Sequence, residues 1–450
     1  MKDTQSPYTL LETWLAGAGD IRSVRAAVCD FNGCLRGKRV PVSKALSLAD
    51  GVRMPLSVSA QDIWGRDVGS NPMVTGGDAD ALAVPTGRAP VRMDWLAAPT
   101  ALVPMWMQSL DGEPSFADPR RELARVLGRY TARGLTPVVA MEFEFYLVAE
   151  GSMQEGEPGP VISPMTGRMV EAEGVLSLDD LDAFEGFIED VHRTAEASDI
   201  NLDAAISEGG AGQFEVNMLH SDDALKAADD ALLFKRLVKG VALRHGFAAS
   251  FMAKPFAGMA GSGLHVHFSC LDADGANIFD NGGDDGSTEM RHAVAGMLAA
   301  MPSSMLLFAP HLNSYRRFEQ GSHAPTTTSW AYENRLAAVR IPAGPGYARR
   351  IEHRVSGADC NPYLLLAAVL GAGLDGIEAG REPPKPVTGN AYESGAPEVP
   401  QRWSAAIDGF GAAYLDPRFV ELFRACKAQE LDRFTAQVSP FEISTYLDAV

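Results

Sequence analysis

The chain has 450 residues, 46% hydrophobic and 22% charged, with 58 acidic against 39 basic side chains and a formal charge of −19. That composition belongs to a folded globular protein with room for two or more domains and excludes wholesale disorder. The acidic balance argues against nucleic acid or an anionic membrane as partner, since both need a basic face, but local arginines can still bind anionic small molecules.

Cys29, Cys34, Cys270, Cys360 and Cys426 are scattered and lack Cys-x-x-Cys spacing, which suits reduced thiols in a cytoplasm and no structural zinc site. The first twenty residues lack the basic and apolar regions of a signal peptide. The longest apolar run, Tyr363 to Leu374, is shorter than a bilayer span and reads as a buried helix.

In chain order, short β-like runs come first, such as Val24–Phe31 before Asn32-Gly33 and Pro99–Met107 before Asp111-Gly112. They predict a small β-rich domain over residues 1–112. A helical spacing of Leu123, Val126, Leu127 and Tyr130 follows, with Asp118 before Pro119 as N-cap, and opens a second domain over 113–450. Residues 138–148 predict a strand in which Glu142 and Glu144 share one face. Two acids in an otherwise apolar strand need cations or solvent.

Residues 150–173 read as a loop and Asp179–Ser198 as a helix. Glu208 then lies on a glycine-rich lead-in to a strand where Gln213, Glu215 and Asn217 face away from Phe214, Val216 and Met218. A helix capped by Ser221 runs to Gly246. Next comes Gly261-Ser262-Gly263-Leu264-His265-Val266-His267-Phe268, a glycine loop entering a strand with both imidazoles on one face. Such a pair also suits a half-buried polar face. Thr288–Met301 predicts another helix.

Seven arginines crowd the block from Asn313 to Pro362, although the chain is acidic. In its last strand Arg350, Glu352 and Arg354 share a face, and His353 falls among Ile351 and Val355 as a structural residue. The economical architecture is α+β: a curved antiparallel sheet, helices on its apolar side, and an ionisable side lining a cleft. Carboxylates crowded around His265 require metal, and oxygen-rich sites favour Mg²⁺ or Mn²⁺. Arginines opposite metals suit phosphates, and without a P-loop or Rossmann fingerprint these groups must handle the nucleotide.

These segments, in this order, resemble the glutamine synthetase family: Glu142-x-Glu144, Gly212-Gln213-Phe214-Glu215-Val216-Asn217, the Gly261–His267 stretch, Asn334-Arg335 with Arg340-Ile341-Pro342, and Arg350-Ile351-Glu352-His353-Arg354. The resemblance implies an N-terminal β-grasp domain, a C-terminal catalytic domain, and a homo-oligomer of two stacked hexameric rings with sites shared between subunits. It assigns Glu144, Glu208 and Glu215 to one metal and Glu142, His265 and Glu352 to another, with two to three Mg²⁺ or Mn²⁺ per site. His267 and Arg350 would face ATP, Arg335 and Arg340 the phosphates, and Gly261, Arg317 and Arg354 the glutamate. Asp62 would be offered to the adjacent subunit's site.

Two positions depart from the family's pattern. Ala260 replaces the asparagine usual before the glycine loop, and His323 stands where a flap glutamate helps deprotonate ammonium. The tyrosine-centred adenylylation motif is not recognisable around Tyr392. An anionic flap selects a small cation, so its loss points to a larger amine, with His323 as base or border. The expectation is a γ-glutamylamide synthetase, an ATP-dependent ligase joining glutamate to a polyamine or monoamine. The alternatives are glutamine synthetase using ammonium, an inactive regulatory homologue, and, more remotely, a zinc hydrolase built on His265 and His267.

Overall fold

A computed structural model describes residues 6–154, 158–171 and 174–450. In the N-terminal part, β1 (Ser23–Cys29), β2 (Leu35–Pro41), β3 (Val52–Pro55), β4 (Asp80–Pro85), β5 (Val91–Arg92) and β6 (Thr100–Gln108) form one sheet. Their order is β2-β1-β6-β4-β3, with β5 also on β6. β1 and β6 are parallel and the other pairs antiparallel.

The helix Pro119–Thr131 follows, its Asp118 carboxylate accepting from Arg120 N as a cap. A larger sheet comprises β7 (Thr136–Ala149), β8 (Leu202–Ser207), β9 (Gln213–Met218), β10 (Phe247–Ser250), β11 (Leu264–Leu271), β12 (Trp330–Tyr332), β13 (Val339–Ile341) and β14 (Ile351–His353). It runs β12-β13-β14-β11-β7-β9-β8, with β10 also on β7, and only β12 and β13 pair in parallel.

Helices cover the apolar face, as alternation along the strands requires. Phe143 of β7 meets Phe234 of the helix Ala224–Arg244 at 5.5 Å between ring centres, and Phe268 of β11 meets Tyr130 edge-on at 6.3 Å. The helix Pro362–Ala379 is long and apolar enough to cross a bilayer, but 78% of it is buried inside the molecule, so its apolarity serves the core. The turn between β1 and β2 packs on the helix Pro417–Thr435. Phe31 packs edge-on against Phe419 and Phe423, and the fully buried Lys427–Glu430 ion pair bonds Asn32.

Several boundaries differ from the sequence reading. Asp223, rather than Ser221, caps Ala224–Arg244 by accepting from Lys226 N. The helix expected over Asp179–Ser198 divides into Leu178–Ala183 and Glu185–Ala197, because Phe184 leaves helical geometry to pack against Phe214 and Phe247. The helix Thr288–Phe308 continues through Pro302. Proline costs a helix about 3 kcal/mol, and burial of Met305, Leu306, Leu307 and Phe308, each worth roughly 1.5–3 kcal/mol, outweighs it. The last strand keeps only Ile351–His353. Of the loop expected over 150–173, residues 155–157, 172 and 173 lie outside the described residues, and the rest includes paired backbone at Val148 with Pro160 and Ile162 with Met169.

Candidate active site

Alternation along β7 buries Met141, Phe143 and Phe145 and turns Glu142 and Glu144 to the open side. The register then sets their neighbours. Glu144 opposes Glu215 of β9; Glu142 opposes Asn217 of β9 and His265 of β11; His267 opposes Glu352 of β14, which opposes Arg340 of β13. Three successive rungs across five strands thus carry the metal- and phosphate-facing residues singled out on those strands, and His353 lies off them, opposite Val266 and Val339.

Within this ladder His267 Nδ1 accepts from Arg350 Nε at 3.1 Å, so its Nε2 carries the proton and donates to Glu142 Oε1 at 2.7 Å. His265 Nδ1 lies 3.3 Å from Glu142 Oε2, and its Nε2 lies 3.9 Å from Glu144 Oε1. Glu144 Oε2 accepts from Gly263 N at 2.7 Å. A Cβ on Gly261 would stand 2.8 Å from the Ala253 carbonyl oxygen and 2.7 Å from Arg317 Cγ, so that position demands glycine, and one on Gly263 would crowd His265 Nε2 at 3.0 Å and Arg317 Nη2 at 2.9 Å.

One ligand atom each from Glu142, His265 and Glu352 lie within 4.8 Å of one another, and so do those of Glu144, Glu215 and His265. His265 is common to both groups. Glu208 belongs to neither, because it sits on the turn after β8, where its carboxylate accepts from Gly209 N. It is near enough to act electrostatically. Burial first, then Glu144, pushes Glu208 up to about 7; burial, then Glu142, Glu144 and Glu208, pushes Glu215 up to about 9. Burial opposes charge on Glu142 too, but the hydrogen bonds of His265 and His267 hold it well below the carboxylate range. Glu352 is likewise desolvated yet held at about 2 by Arg354 and the two imidazoles. Crowded, mutually repelling oxygens around one shared imidazole ring fit a hard divalent cation such as Mg²⁺ or Mn²⁺.

A cation at this site must displace the protons that Glu208 and Glu215 retain near neutrality. Mn²⁺ titrated into the metal-free protein at pH 7.5 should release about one proton, read as a dependence of calorimetric heat on buffer ionisation enthalpy. Affinity should climb with pH up to about 9, where Glu215 ionises. The sign for stability is opposite: the fold binds the Glu208 and Glu215 protons more tightly than the unfolded chain, whereas the neutral His353 has the reverse effect up to about pH 6.5, so the melting temperature of the metal-free protein should fall as pH rises from about 6.5 to about 8. A pH-independent affinity would show that these carboxylates do not bind the metal.

The arginines surround this centre differently. Arg340 Nη1 donates to Glu352 Oε2 at 2.7 Å, and Arg354 pairs with the other oxygen of the same carboxylate. Arg317 is 5% exposed and donates to Val355 O at 2.8 Å and Arg354 O at 3.5 Å, and among the described residues no carboxylate lies within 4.0 Å of it. Arg335 is exposed, and its charge is felt by Glu208. His353 is 1% exposed, packs on the Phe308 ring, and is held neutral by burial, with its pKa down to about 3, in keeping with its place on the apolar face.

Two expected residues stand apart from the cluster. Asp62 is 1% exposed, its Oδ1 accepting from Trp64 N and Arg66 N and its Oδ2 from Gln429 Nε2 at 3.1 Å. His323 is exposed on a loop, with φ +60°, and that loop is tied to the Arg317 carbonyl by the Ser322 hydroxyl at 3.0 Å.

Beside the ladder opens a cavity of about 450 Å³, lined by Val138, Ala140, Glu142, Asn217, His267, Phe268, Ser269, Tyr347 and Arg350, with Asp203 and His220. Its size suits a nucleotide. Asp203, His220, Ser269 and Tyr347 were not singled out from sequence. Ser269 could have been, since it continues the His265 and His267 face, whereas Tyr347 comes from a Gly- and Pro-rich segment with no periodic signal.

The family model described as glutamine synthetase, catalytic domain, matches residues 116–446. The chain is 38% identical to γ-glutamylputrescine synthetase PuuA of Escherichia coli (strain K12), over 94% of this chain and 91% of the relative. It is 32% identical to the glutamate–isopropylamine ligase of a Pseudomonas species over 96% of both chains. Against γ-glutamylethanolamide synthetase GlnA4 of Streptomyces coelicolor, identity is 32% over 95% of this chain and 93% of the other. A solved structure titled apo GmaS without ligand superposes with a TM-score of 0.85 at 27% identity, covering 98% of this chain and 99% of that one.

Proposed function

The chain belongs to the glutamine synthetase family, and from that premise we propose that it is an ATP-dependent ligase joining the γ-carboxylate of glutamate to an organic amine. The observation that carries this reading is the pair of carboxylate–imidazole groups sharing His265, set between a nucleotide-sized cavity and the buried, unpaired Arg317. Full-length similarity to three ligases named for organic amines favours such an amine over ammonium.

In this reading the glutamate γ-carboxylate attacks the γ-phosphorus of ATP, breaking its bond to ADP and forming an acyl phosphate. The amine nitrogen then attacks the acyl carbon, phosphate leaves, and one amine proton passes to a base. Glu142, His265 and Glu352, and Glu144 and Glu215 with Glu208 beside them, would hold Mg²⁺ or Mn²⁺, which when bound would neutralise charge on the phosphates. His267 and Arg350 orient the nucleotide, and Arg335 and Arg340 offer guanidinium to the transferring group. Arg317 and Arg354 receive the glutamate carboxylate over Gly261. His323 borders the amine, and Asp62 serves the site of a neighbouring subunit.

The same reading includes a cytoplasmic homo-oligomer, a dodecamer of two hexameric rings. It is supported by the apolar side chains exposed near the C-terminus, including Phe441, Tyr446 and Leu447, which a subunit contact would cover. Domains over 1–112 and 113–450 are part of it.

ADP release measured with ATP, glutamate and Mg²⁺ against a panel from ammonium through methylamine and ethanolamine to diamines tests the activity. Organic amines should exceed ammonium in kcat/KM by at least about tenfold. The reverse ranking would make the protein a glutamine synthetase, and no amine-dependent release despite ATP binding would make it an inactive homologue.

A further inference from the structure

The proposed reaction determines which end of the cleft the amine must use. The nucleotide cavity lies along the first half of β7 and the last halves of β9 and β11. In-line phosphoryl transfer puts the leaving and attacking oxygens on opposite sides of phosphorus. The acyl group and the amine therefore belong at the other end of the same strands, where Glu144, Glu208 and the Gly261–Gly263 loop come together.

Beside these carboxylates part of the wall is apolar. A Cβ placed on Gly209 would stand 3.7 Å from Ala260 Cβ and 3.7 Å from Val175 Cγ2, so Val175, Gly209 and Ala260 converge beside Glu208. The next residue, Leu176, has φ +61°, a left-handed conformation that a bulky side chain rarely adopts, and both Val175 and Leu176 are 63% exposed. The backbone there is firmly held. Leu176 N donates to Ser207 O at 2.9 Å, Ser177 N donates to Ser207 Oγ at 2.6 Å, and that hydroxyl donates to Gly174 O at 2.8 Å. Two branched apolar side chains are thus presented to solvent by strained backbone pinned one residue from Glu208. Neither hydration nor intrinsic conformation favours that arrangement, whereas covering a hydrocarbon ligand would stabilise it.

We infer that Val175 and Leu176, with Ala260, seat the carbon chain of the amine and so select aliphatic amines of several carbons over ammonium and methylamine. This rests on the amine-ligase reading. The side chains act on the methylenes next to the reacting nitrogen, so n-butylamine and 1,4-diaminobutane should both benefit from them.

The test is the ratio of kcat/KM for n-butylamine to that for methylamine, with 1,4-diaminobutane alongside, in wild type, Val175→Ala and Leu176→Gly. Glycine suits φ +61°, so Leu176→Gly relieves strain while removing the side chain. A wild-type ratio of at least about ten, falling about tenfold in each variant, is expected. General damage to the fold lowers both substrates together and leaves the ratio unchanged. A wild-type ratio near one, or a ratio unaltered in both variants, overturns the inference while leaving the ligase activity standing. Absence of ADP release with any amine in wild type overturns the ligase reading and this inference with it.

Discussion

Replacing His265 with alanine is expected to lower amine-dependent phosphate release by about 10³-fold or more, the largest effect of any single substitution at the site. Among the described residues His265 is the side chain common to the two carboxylate groups, its Nδ1 toward Glu142 and its Nε2 toward Glu144. Its loss weakens both cation positions at once and leaves Glu144 and Glu215, paired across adjacent strands, to repel each other without relief. Mn²⁺ affinity, followed by the loss of free-ion paramagnetic signal, should fall along with turnover. His267→Ala makes the informative contrast. The Nδ1 of His267 is occupied by Arg350 and its proton by Glu142, so that variant should keep much of its Mn²⁺ affinity and instead raise the KM for ATP. Equal loss of metal affinity in both variants would mean that the imidazoles do not divide in this way.

Substituting Arg317 by methionine should separate binding from stability. A guanidinium buried with no carboxylate within 4.0 Å among the described residues costs several kcal/mol of desolvation, and burial lowers the Arg317 pKa although the more distant Glu144 and Asp359 oppose it. Its hydrogen bonds to Val355 O and Arg354 O offset part of that, at about 1–3 kcal/mol for each carbonyl left bare. The two effects nearly cancel, so methionine should change stability by no more than about 2 kcal/mol, a shift of a few degrees in melting temperature. The missing anion is then the glutamate carboxylate, and the KM for glutamate should rise about 10²-fold or more, as for loss of a buried charge-assisted pair. A variant that melts far below wild type while keeping its glutamate KM would make Arg317 a structural cation.

Much of this site was legible in the residue order because strand alternation is a local property. Met141-Glu142-Phe143-Glu144-Phe145 and Leu264-His265-Val266-His267-Phe268 announce which face is buried, and the structure buries those apolar side chains. His353 was readable in the same way, since its neighbours in the strand assign it to the apolar side. Helix ends were less legible. Ser221 and Asp223 are both good caps, and only the path of the chain chooses between them; Pro302 looks like a stop until the burial beyond it is known.

What the sequence determined by itself was the chemistry available: which carboxylates, imidazoles and guanidiniums exist, and which side of its own strand each one takes. Period-two alternation says nothing about what lies across the next strand. Tertiary structure decided that Glu142 meets His265 and Glu144 meets Glu215, that His265 belongs to both groups, and that Glu208 stands beside them on a turn. It also decided the pinned Val175–Leu176 step, because a strained φ and its hydrogen bonds to Ser207 arise from contact between segments thirty residues apart. Such pairings depend on register and packing, which are properties of the whole chain rather than of any stretch within it.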